Sequence, residues 1–454
     1  MTRPRLRHSQ PSNATIFAAL IVFRAINACL VTTYFSPDEY WQALEVAHRI
    51  ALGTGYLTWE WHVALRSVLH PALFAGLYKT LVLLGLDDGA LFIYAPRLLQ
   101  SFFAAVADFY TYRFANRLFD SPTTASWTLF LSVTSWWNFF CSTRTLANSL
   151  EAALTIVALY YWPFTLTPYS TKTARKTTWQ GNQKLSLAIA FLTCIFRPTA
   201  AIMWIFLGVS LLLRHIRNGD ANSVFATLAS VVFIGGGAVL GSAALDSTLL
   251  YGEWVLTPVN FLRVNVLEGI SLFYGSSPWH WYLSQGIPIL FGAHLPAVLL
   301  GTYHTFSSGP GTPNAALKRQ VLYLSLWMLA VYSCLQHKEW RFLYPILYPL
   351  LPFGGDTLSR IFISAPNWRR SKLALMVVFG LVVVNAVMAW YTTMVHQRGV
   401  IDVMAWIRDE SRTGRIRSVG FIMPCHSTPW ISSLHLRDSK SPDIWFVTCE
   451  PPLG

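Results

Sequence analysis

The sequence predicts an all-α polytopic membrane protein. Three observations carry that prediction: a composition poor in charge, the recurrence of long apolar runs, and basic residues placed between those runs. Of 454 residues, 54% are hydrophobic, 15% aromatic and only 12% charged, against roughly 25% charged in soluble domains. Mean hydropathy is +0.42. The first run, Ala18 to Thr33, is interrupted only by Arg24 and Asn27. Further runs follow at Leu69–Leu86, Leu91–Tyr112, Thr124–Phe140, Leu150–Phe164 and Leu185–Leu213. The series continues with Val224–Leu250, Ile287–Leu300, Val321–Leu335, Phe342–Phe353 and Leu373–Tyr391. About 20 apolar residues span a bilayer core, so these runs predict about ten to twelve membrane helices.

The net charge is +13, from 34 Lys and Arg against 21 Asp and Glu. In a soluble protein this would suggest nucleic acid. Here the basic residues lie mostly in connecting loops, and the positive-inside rule explains them without a nucleic-acid partner. Lys172–Lys176 and Arg369–Lys372 read as cytoplasmic clusters. Arg3, Arg5 and Arg7 make residues 1–13 a cytoplasmic tail and leave the sequon at Asn13 unmodified. They also put the large first loop, 35–66, on the lumenal side; 14–395 is expected to be the multispanning region and 396–454 a lumenal C-terminal segment. No cleavable leader is evident, because no clear small-residue cleavage site follows the basic head. Strict alternation from this start places Thr165–Lys184 in the lumen, against its basic character. One run is therefore expected to be re-entrant or wrongly divided.

Six cysteines give neither a zinc-ligand spacing nor a Cys-x-x-Cys pair. Cys29, Cys194 and Cys334 lie in apolar runs as small packing residues. Cys425 and Cys449 lie in the polar segment beyond the last run and would form a disulfide if that segment is lumenal.

The most informative motif is Phe35-Ser36-Pro37-Asp38-Glu39-Tyr40-Trp41, just beyond the first run. It places two adjacent carboxylates at a membrane boundary in a chain that uses few acids. Pro37 disfavours helix at Ser36 and marks a turn. Asp38 and Glu39 either do chemistry or cap the segment that follows, since acids suit a helix's first turn. Tyr40, Trp41, Leu44, His48 and Ala51 recur at helical spacing, with Glu45 and Arg49 placed for an i,i+4 pair. This predicts a short helix lying at the interface with its aromatic face towards lipid headgroups.

Three further stretches combine aromatic and polar groups. Gly55–His62 contains Trp59, Glu60 and Trp61, which suit stacking and hydrogen bonding to sugars or, alternatively, an interfacial aromatic belt. Gly275–Tyr282 contains Trp279 and His280 in a second aromatic loop. Gln336–Pro345 holds His337, Lys338, Glu339 and Arg341 within five residues, flanked by apolar runs. Ionisable groups near membrane depth are costly and mark function. Lys338 and Arg341 suit a phosphate, Arg in a bidentate fork; the alternative is an internal ion pair of Glu339 with Arg341 or Lys338. Arg144 and Arg197 are weaker candidates of the same kind.

Phe35–Trp41, Gly55–Trp61, Ser142–Asn148, Arg197–Ala200, Gly275–Gly286 and His337–Phe342 together resemble one family. It is the multispanning mannosyltransferases that use dolichyl-phosphate mannose in the endoplasmic reticulum (glycosyltransferase family 22, GT-C fold). Tyr56–Trp61, His396–Gly399 and Pro424–Pro429 resemble the branch adding the third mannose of glycosylphosphatidylinositol (GPI) anchors more than the N-glycan branch. The matches keep their order from Phe35 to Pro451. The family continues into a longer lumenal C-terminal portion, so 396–454 is expected to be a shortened form of it.

The resemblance implies an inverting α-1,2-mannosyl transfer from dolichyl-phosphate mannose to a GPI-precursor glycolipid, at a lumen-facing site. Asp38 is the expected general base, with Glu39 orienting it or bonding the acceptor. The donor phosphate falls to Lys338, Arg341, His337, Arg144 and Arg197. The sugar and acceptor fall to Trp59, Glu60, Trp61, Trp279 and His280. No cofactor or metal is expected, since no Asp-x-Asp motif resembles that of sugar-nucleotide transferases. The alternatives are a dolichol-linked oligosaccharide mannosyltransferase or, in another class, a transporter or scramblase. The latter would show internal repeats and acids on interrupted membrane helices.

Overall fold

A computed structural model describes residues 11–164, 176–309, 312, 314–363, 372–436 and 442–451. The basic clusters at 3–7, 172–175 and 369–371 lie outside the described residues. Helix α1 (Asn13–Leu30) begins where Ser12 accepts from the Thr15 amide at 3.1 Å, meeting one amide that a helix start leaves unpaired. It ends at the Asp38 loop. There α2 (Glu45–Leu52), α3 (Trp59–His62) and α4 (Leu69–Leu83) gather on one face of the molecule.

The path of α4 settles how the apolar runs divide. His70, near its start, meets the ring of Phe196 at 6.0 Å, and Tyr78, two turns on, stacks on Phe92 at 4.3 Å. Phe92 opens the next helix, α5 (Ala90–Phe119), whose Arg97 bonds Val31 O at 2.5 Å beside the end of α1. Both ends of α4 therefore stay on the Asp38 face, and the run Leu69–Leu86 does not cross. α5 does cross, antiparallel to α1, with Arg24 meeting Asp108 midway at 2.6 Å.

The bundle then alternates. α6 (Pro122–Thr134) and α7 (Trp136–Cys141) return to the Asp38 face, where Arg144 reaches Glu39. α8 (Ala147–Tyr161) leaves it, and Arg113 of α5 lies over its Tyr160 ring at 4.7 Å. α9 (Lys176–Phe196) comes back, with Ser186 bonding Ala158 O at 2.7 Å. α8 therefore ends, and α9 begins, on the face opposite Asp38; residues 165–175, the core of the basic Thr165–Lys184 stretch, lie outside the described residues. The run Leu185–Leu213 also divides, because Arg197 is extended before Pro198 and α10 (Ala201–Arg217) starts afresh.

α11 (Ala221–Asp246) returns to the Asp38 face, and α12 (Thr257–Leu262) lies across it, Asn260 bonding Ala64 O at 3.3 Å. α13 (Ile287–Phe291) and α14 (Leu295–Ser307) descend together, α15 (Ala315–Cys334) rises, and α16 (Tyr344–Ile363) descends. α17 (Lys372–Trp390) rises to where Thr393 O accepts from the Thr32 amide at 2.9 Å. Counting α6–α7 and α13–α14 as single passes, α1 and α5 through α11 give seven, and α13 through α17 give four. That makes eleven among the described residues. Among the described residues six helices are long and apolar enough to cross a bilayer by length and composition alone; the others complete the same bundle. The protein is thus an all-α polytopic membrane protein.

The remaining chain covers the Asp38 face. α18 (Gly399–Arg412), strand β1 (Ser418–Phe421), α19 (Ile431–Leu434) and strand β2 (Asp443–Phe446) form a small unit. β1 and β2 pair in parallel, Ser418 opposite Asp443. Cys425 and Cys449 are joined as a disulfide with 5.9 Å between Cα atoms. Trp41 packs among His426, Trp430 and Phe446 at 4.2–5.5 Å. The aromatic face of the 40–51 helix is thus buried against this unit and α4, where the sequence had suggested lipid headgroups. Glu45 does not pair with Arg49. Its carboxylate accepts from the amides of Tyr56 at 3.1 Å and Ser432 at 2.7 Å, tying the first loop to the C-terminal unit.

Candidate active site

Pro37 turns the chain out of α1, and its carbonyl accepts from the Tyr40 and Trp41 amides. Asp38 and Glu39 therefore occupy the first helical turn, and one wider π-helical turn, Tyr40–Leu44, follows. The two carboxylates diverge from there. Glu39 is fully buried and clasped by Arg97 at 3.0 Å and Arg144 at 2.8 Å. Asp38 keeps 17% of its side chain exposed and meets Arg341 Nη1 at 2.5 Å.

Arg341 is presented by the short turn between α15 and α16. Its Nη1 also bonds Ser36 Oγ at 3.0 Å, and its Nε and Nη2 fork onto Glu339 at 2.6 and 2.8 Å. His337 Nε2 lies 3.2 Å from the same Glu339. Burial alone would raise the Glu339 carboxyl, but Arg341 and His337 outweigh it and hold it below the ordinary range. The hydrogen bond to Glu339 in turn raises the His337 imidazole. The internal ion pair of Glu339 with Arg341 weighed from the sequence is therefore present. Lys338 is buried and donates to the carbonyls of Ser277 (3.1 Å) and Leu335.

The other candidates are distributed unevenly. Arg144 is sealed, bonding Phe140 O, Thr33 O and Thr33 Oγ1 besides Glu39. Arg197 pairs with Glu151 at 3.0 Å and Asn148 Oδ1 at 3.0 Å, and Asn148 in turn donates to Arg341 O at 3.2 Å. Trp59 is buried with its indole on Tyr274 OH at 2.9 Å. Glu60 binds Arg66 bidentately at 2.9 and 3.1 Å and accepts from Gln42 at 2.8 Å. Trp279 and His280 are exposed on the loop whose Ser277 docks on Gln336, and they do not line the recess beside Asp38.

That recess is walled by Asp38, Gln42, Trp61, Arg66, Ser67, His70, Pro71, Ala147 and Phe196. Arg66 and His70 carried no signal in sequence beyond being ionisable residues just past Gly55–His62. Asp246, at the end of α11, accepts from Ser67 Oγ at 2.8 Å and the Val68 amide at 2.7 Å and so pins this loop. The arrangement offers a reachable carboxylate, a cationic fork beside it, and a partly apolar recess on its other side. It suits removal of a proton from a hydroxyl next to a stabilised anion.

Residues 15–435 match the model of the Alg9-like mannosyltransferase family. The chain is 40% identical to mannosyltransferase APTG1 of Arabidopsis thaliana, covering 96% of this chain and 77% of that protein. It is 39% identical to the GPI alpha-1,2-mannosyltransferase 3 of Mus musculus, covering 97% and 74%. With the GPI mannosyltransferase 3 of Yarrowia lipolytica the identity is 38%, covering 100% and 81%. In fold it is similar to ArnT from Cupriavidus metallidurans bound to undecaprenyl phosphate, with a TM-score of 0.63, 12% identity and coverage of 96% and 85%. The Archaeoglobus fulgidus oligosaccharyltransferase follows at TM-score 0.54 and 12% identity, covering 92% and 64%. The fold is thus the GT-C fold that the resemblance implied. Family match and near-full-length identity agree: the chain belongs to the Alg9-like mannosyltransferase family and is a membrane glycosyltransferase.

Proposed function

We propose that the protein transfers the third, α-1,2-linked mannose from dolichyl-phosphate mannose to mannose-2 of the GPI-anchor precursor. Transfer occurs with inversion, on the lumenal face of the endoplasmic reticulum membrane. The observation that carries the mechanism is the contrast between the two adjacent carboxylates. Asp38 is reachable at the mouth of a recess, whereas Glu39 is sealed between two guanidinium groups. Asp38 takes the proton of the acceptor hydroxyl as its oxygen attacks the anomeric carbon. The new C–O bond forms opposite the breaking bond to the phosphate, which inverts the centre. The electron pair of that bond goes to dolichyl phosphate, a weak base that needs charge stabilisation more than a proton.

Arg341 is the group for that charge. Glu339 fills its fork with a carboxylate, the geometry that an incoming phosphate would take over. His337 meets the same Glu339, and Lys338 is the neighbouring cation in the chain, already donating to two carbonyls. Arg144 and Arg197 are committed to Glu39 and Glu151 and serve the site as supports. The names of the mouse and yeast relatives favour the GPI branch over dolichol-linked oligosaccharide transfer.

The test is the product. Purified protein given dolichyl-phosphate mannose and a two-mannose GPI precursor should yield the three-mannose glycolipid. Transfer only to a dolichol-linked oligosaccharide would move the protein to the N-glycan branch.

A further inference from the structure

Two side chains in the recess beside Asp38 lack an account. Trp61 and His70 both line it and are only 2% and 5% exposed. Trp61 Nε1 and His70 Nε2 are enclosed and have no hydrogen-bond partner among the described residues. A polar atom buried without a partner is costly to the fold, and two at one place beside a reachable carboxylate call for an occupant. Packing fixes both rings. His70 stands edge-on to Phe74 at 5.3 Å and Phe196 at 6.0 Å. Trp61 packs with Val46 and Val68.

The chemistry of these atoms restricts what can occupy the recess. An indole N–H only donates, whereas a neutral imidazole nitrogen accepts or donates. Burial first, then Arg66 and Arg197, push His70 down to about 3, so it is neutral at working pH. Arg66 is already neutralised by its bidentate pair with Glu60. The recess therefore offers no spare positive charge for a phosphate but suits a hydroxyl, which both accepts and donates. Its volume, about 20 Å³, exceeds the roughly 10–15 Å³ that one water-sized group needs. Arg341, His337 and Lys338 do not line it; Arg341 reaches Asp38 from outside the recess.

We propose that Trp61 and His70 form a socket for a hydroxyl or hydroxymethyl arm of the acceptor sugar, and so determine acceptor specificity. The proposal rests on the mannosyl-transfer reading above. The base must touch the acceptor hydroxyl, and the donor phosphate is drawn to Arg341, so the acceptor sugar approaches from the recess side. Its ring rests at the mouth, with one arm inserted between the indole N–H and the imidazole.

The test uses full-length protein in lipid nanodiscs, with KM measured separately for donor and acceptor. Trp61→Phe keeps an aromatic ring but removes the N–H together with the five-membered half of the indole; His70→Phe keeps an aromatic ring and removes both nitrogens. Each should raise the acceptor KM about 5- to 20-fold with donor KM unchanged, in protein that stays folded at the assay temperature despite the stability that the lost packing costs. Wild type should show a similar loss with one deoxy analogue of the acceptor's terminal mannose, and Trp61→Phe should add little to that loss. Unchanged acceptor KM in both variants would mean that the recess holds only a water and would overturn the proposal. A rise in donor KM alone would also overturn it, by placing the donor sugar there. Absence of any transfer by the wild type would instead remove the functional reading on which the socket rests. If His70→Phe fails to fold, Trp61→Phe with the deoxy series decides alone.

Discussion

The Asp38 recess and the Glu39 clasp hold adjacent carboxylates in opposite surroundings. Glu39 has two guanidinium partners, no exposure, and a backbone carbonyl that also accepts from Thr145 Oγ1 at 2.8 Å. It ties the Asp38 loop to α5 and to the Arg144 turn. Asp38 has one guanidinium partner, partial exposure and a recess on its free side. Two ion pairs on adjacent residues thus differ in access to an outside molecule, and under the proposed mechanism that access makes one a reagent and leaves the other a fastener. The Arg24–Asp108 pair in the bundle, with neither side chain exposed, is a fastener of the Glu39 kind. Removing one partner of such a pair leaves an uncompensated buried charge, whereas an exposed partner can be rehydrated.

Substitution of each carboxylate should separate these roles. Asp38→Asn keeps size and most polarity but removes basicity. It should lower the transfer rate about 10²–10⁴-fold, with thermal unfolding and donor binding near wild type. Near-normal turnover per folded molecule would remove Asp38 from the chemistry. Glu39→Gln should act on stability first, by about 3–5 kcal/mol, because Arg97 and Arg144 lose their shared counter-charge. A lowered unfolding temperature with modest loss of turnover per folded molecule supports the clasp. An unfolding temperature equal to wild type, with a large rate loss, would reverse the roles of the neighbours.

Smaller effects sharpen the same contrast. Arg341→Ala should weaken donor binding by about 1.5–3 kcal/mol, the value of a charge-assisted contact, with turnover falling as well. Donor affinity unchanged in a folded variant would move the phosphate site away from the α15–α16 turn. The smallest effect concerns Glu45, which burial pushes up to about 7 although the amides of Ser432 and Tyr56 oppose the rise. A carboxyl raised in the folded state contributes stability in full below its unfolded pKa near 4.3 and loses it as pH rises through 7. Burial pushes His48 and His426 down to about 4 and lowers His435. Their contributions run the other way, present above about pH 6.5 and lost on acidification. Between pH 7 and 4.5 the two trends oppose each other. Glu45→Gln removes the first, so the variant's stability should fall more steeply on acidification, by roughly 1–3 kcal/mol over that window. Parallel unfolding profiles for variant and wild type would show that Glu45 does not set the pH response of the C-terminal unit.

Much of the architecture is legible in the chain because hydropathy is local. The apolar runs mark the bundle, and Pro37 and Pro198 mark its turns. The run Leu69–Leu86 misleads because apolar length does not reveal what buries it: α4 buries Phe74 and Tyr78 against other protein on the Asp38 face. The same blindness affects the 40–51 helix. Its aromatic stripe has the period of an interfacial helix but faces a unit almost four hundred residues later in the chain, as when Trp41 Nε1 bonds Thr428 O at 2.9 Å. In the site, His337–Arg341 and Asp38–Glu39 stand out as charges in an apolar context, whereas Arg66 and His70 gain meaning only beside Asp38.

The sequence by itself determined the membrane class, the family and the residues that hold ionisable groups near the bilayer. Hydrophobic length and motif order are properties of the chain alone. The tertiary structure alone decided which carboxylate is reachable and which arginines are already spent. It also decided which apolar run stays on one face. Those depend on desolvation and pairing between residues up to about three hundred positions apart, such as Asp38 with Arg341 at 2.5 Å. A carboxylate's chemistry is set by the charges and water around it, and folding chooses those neighbours.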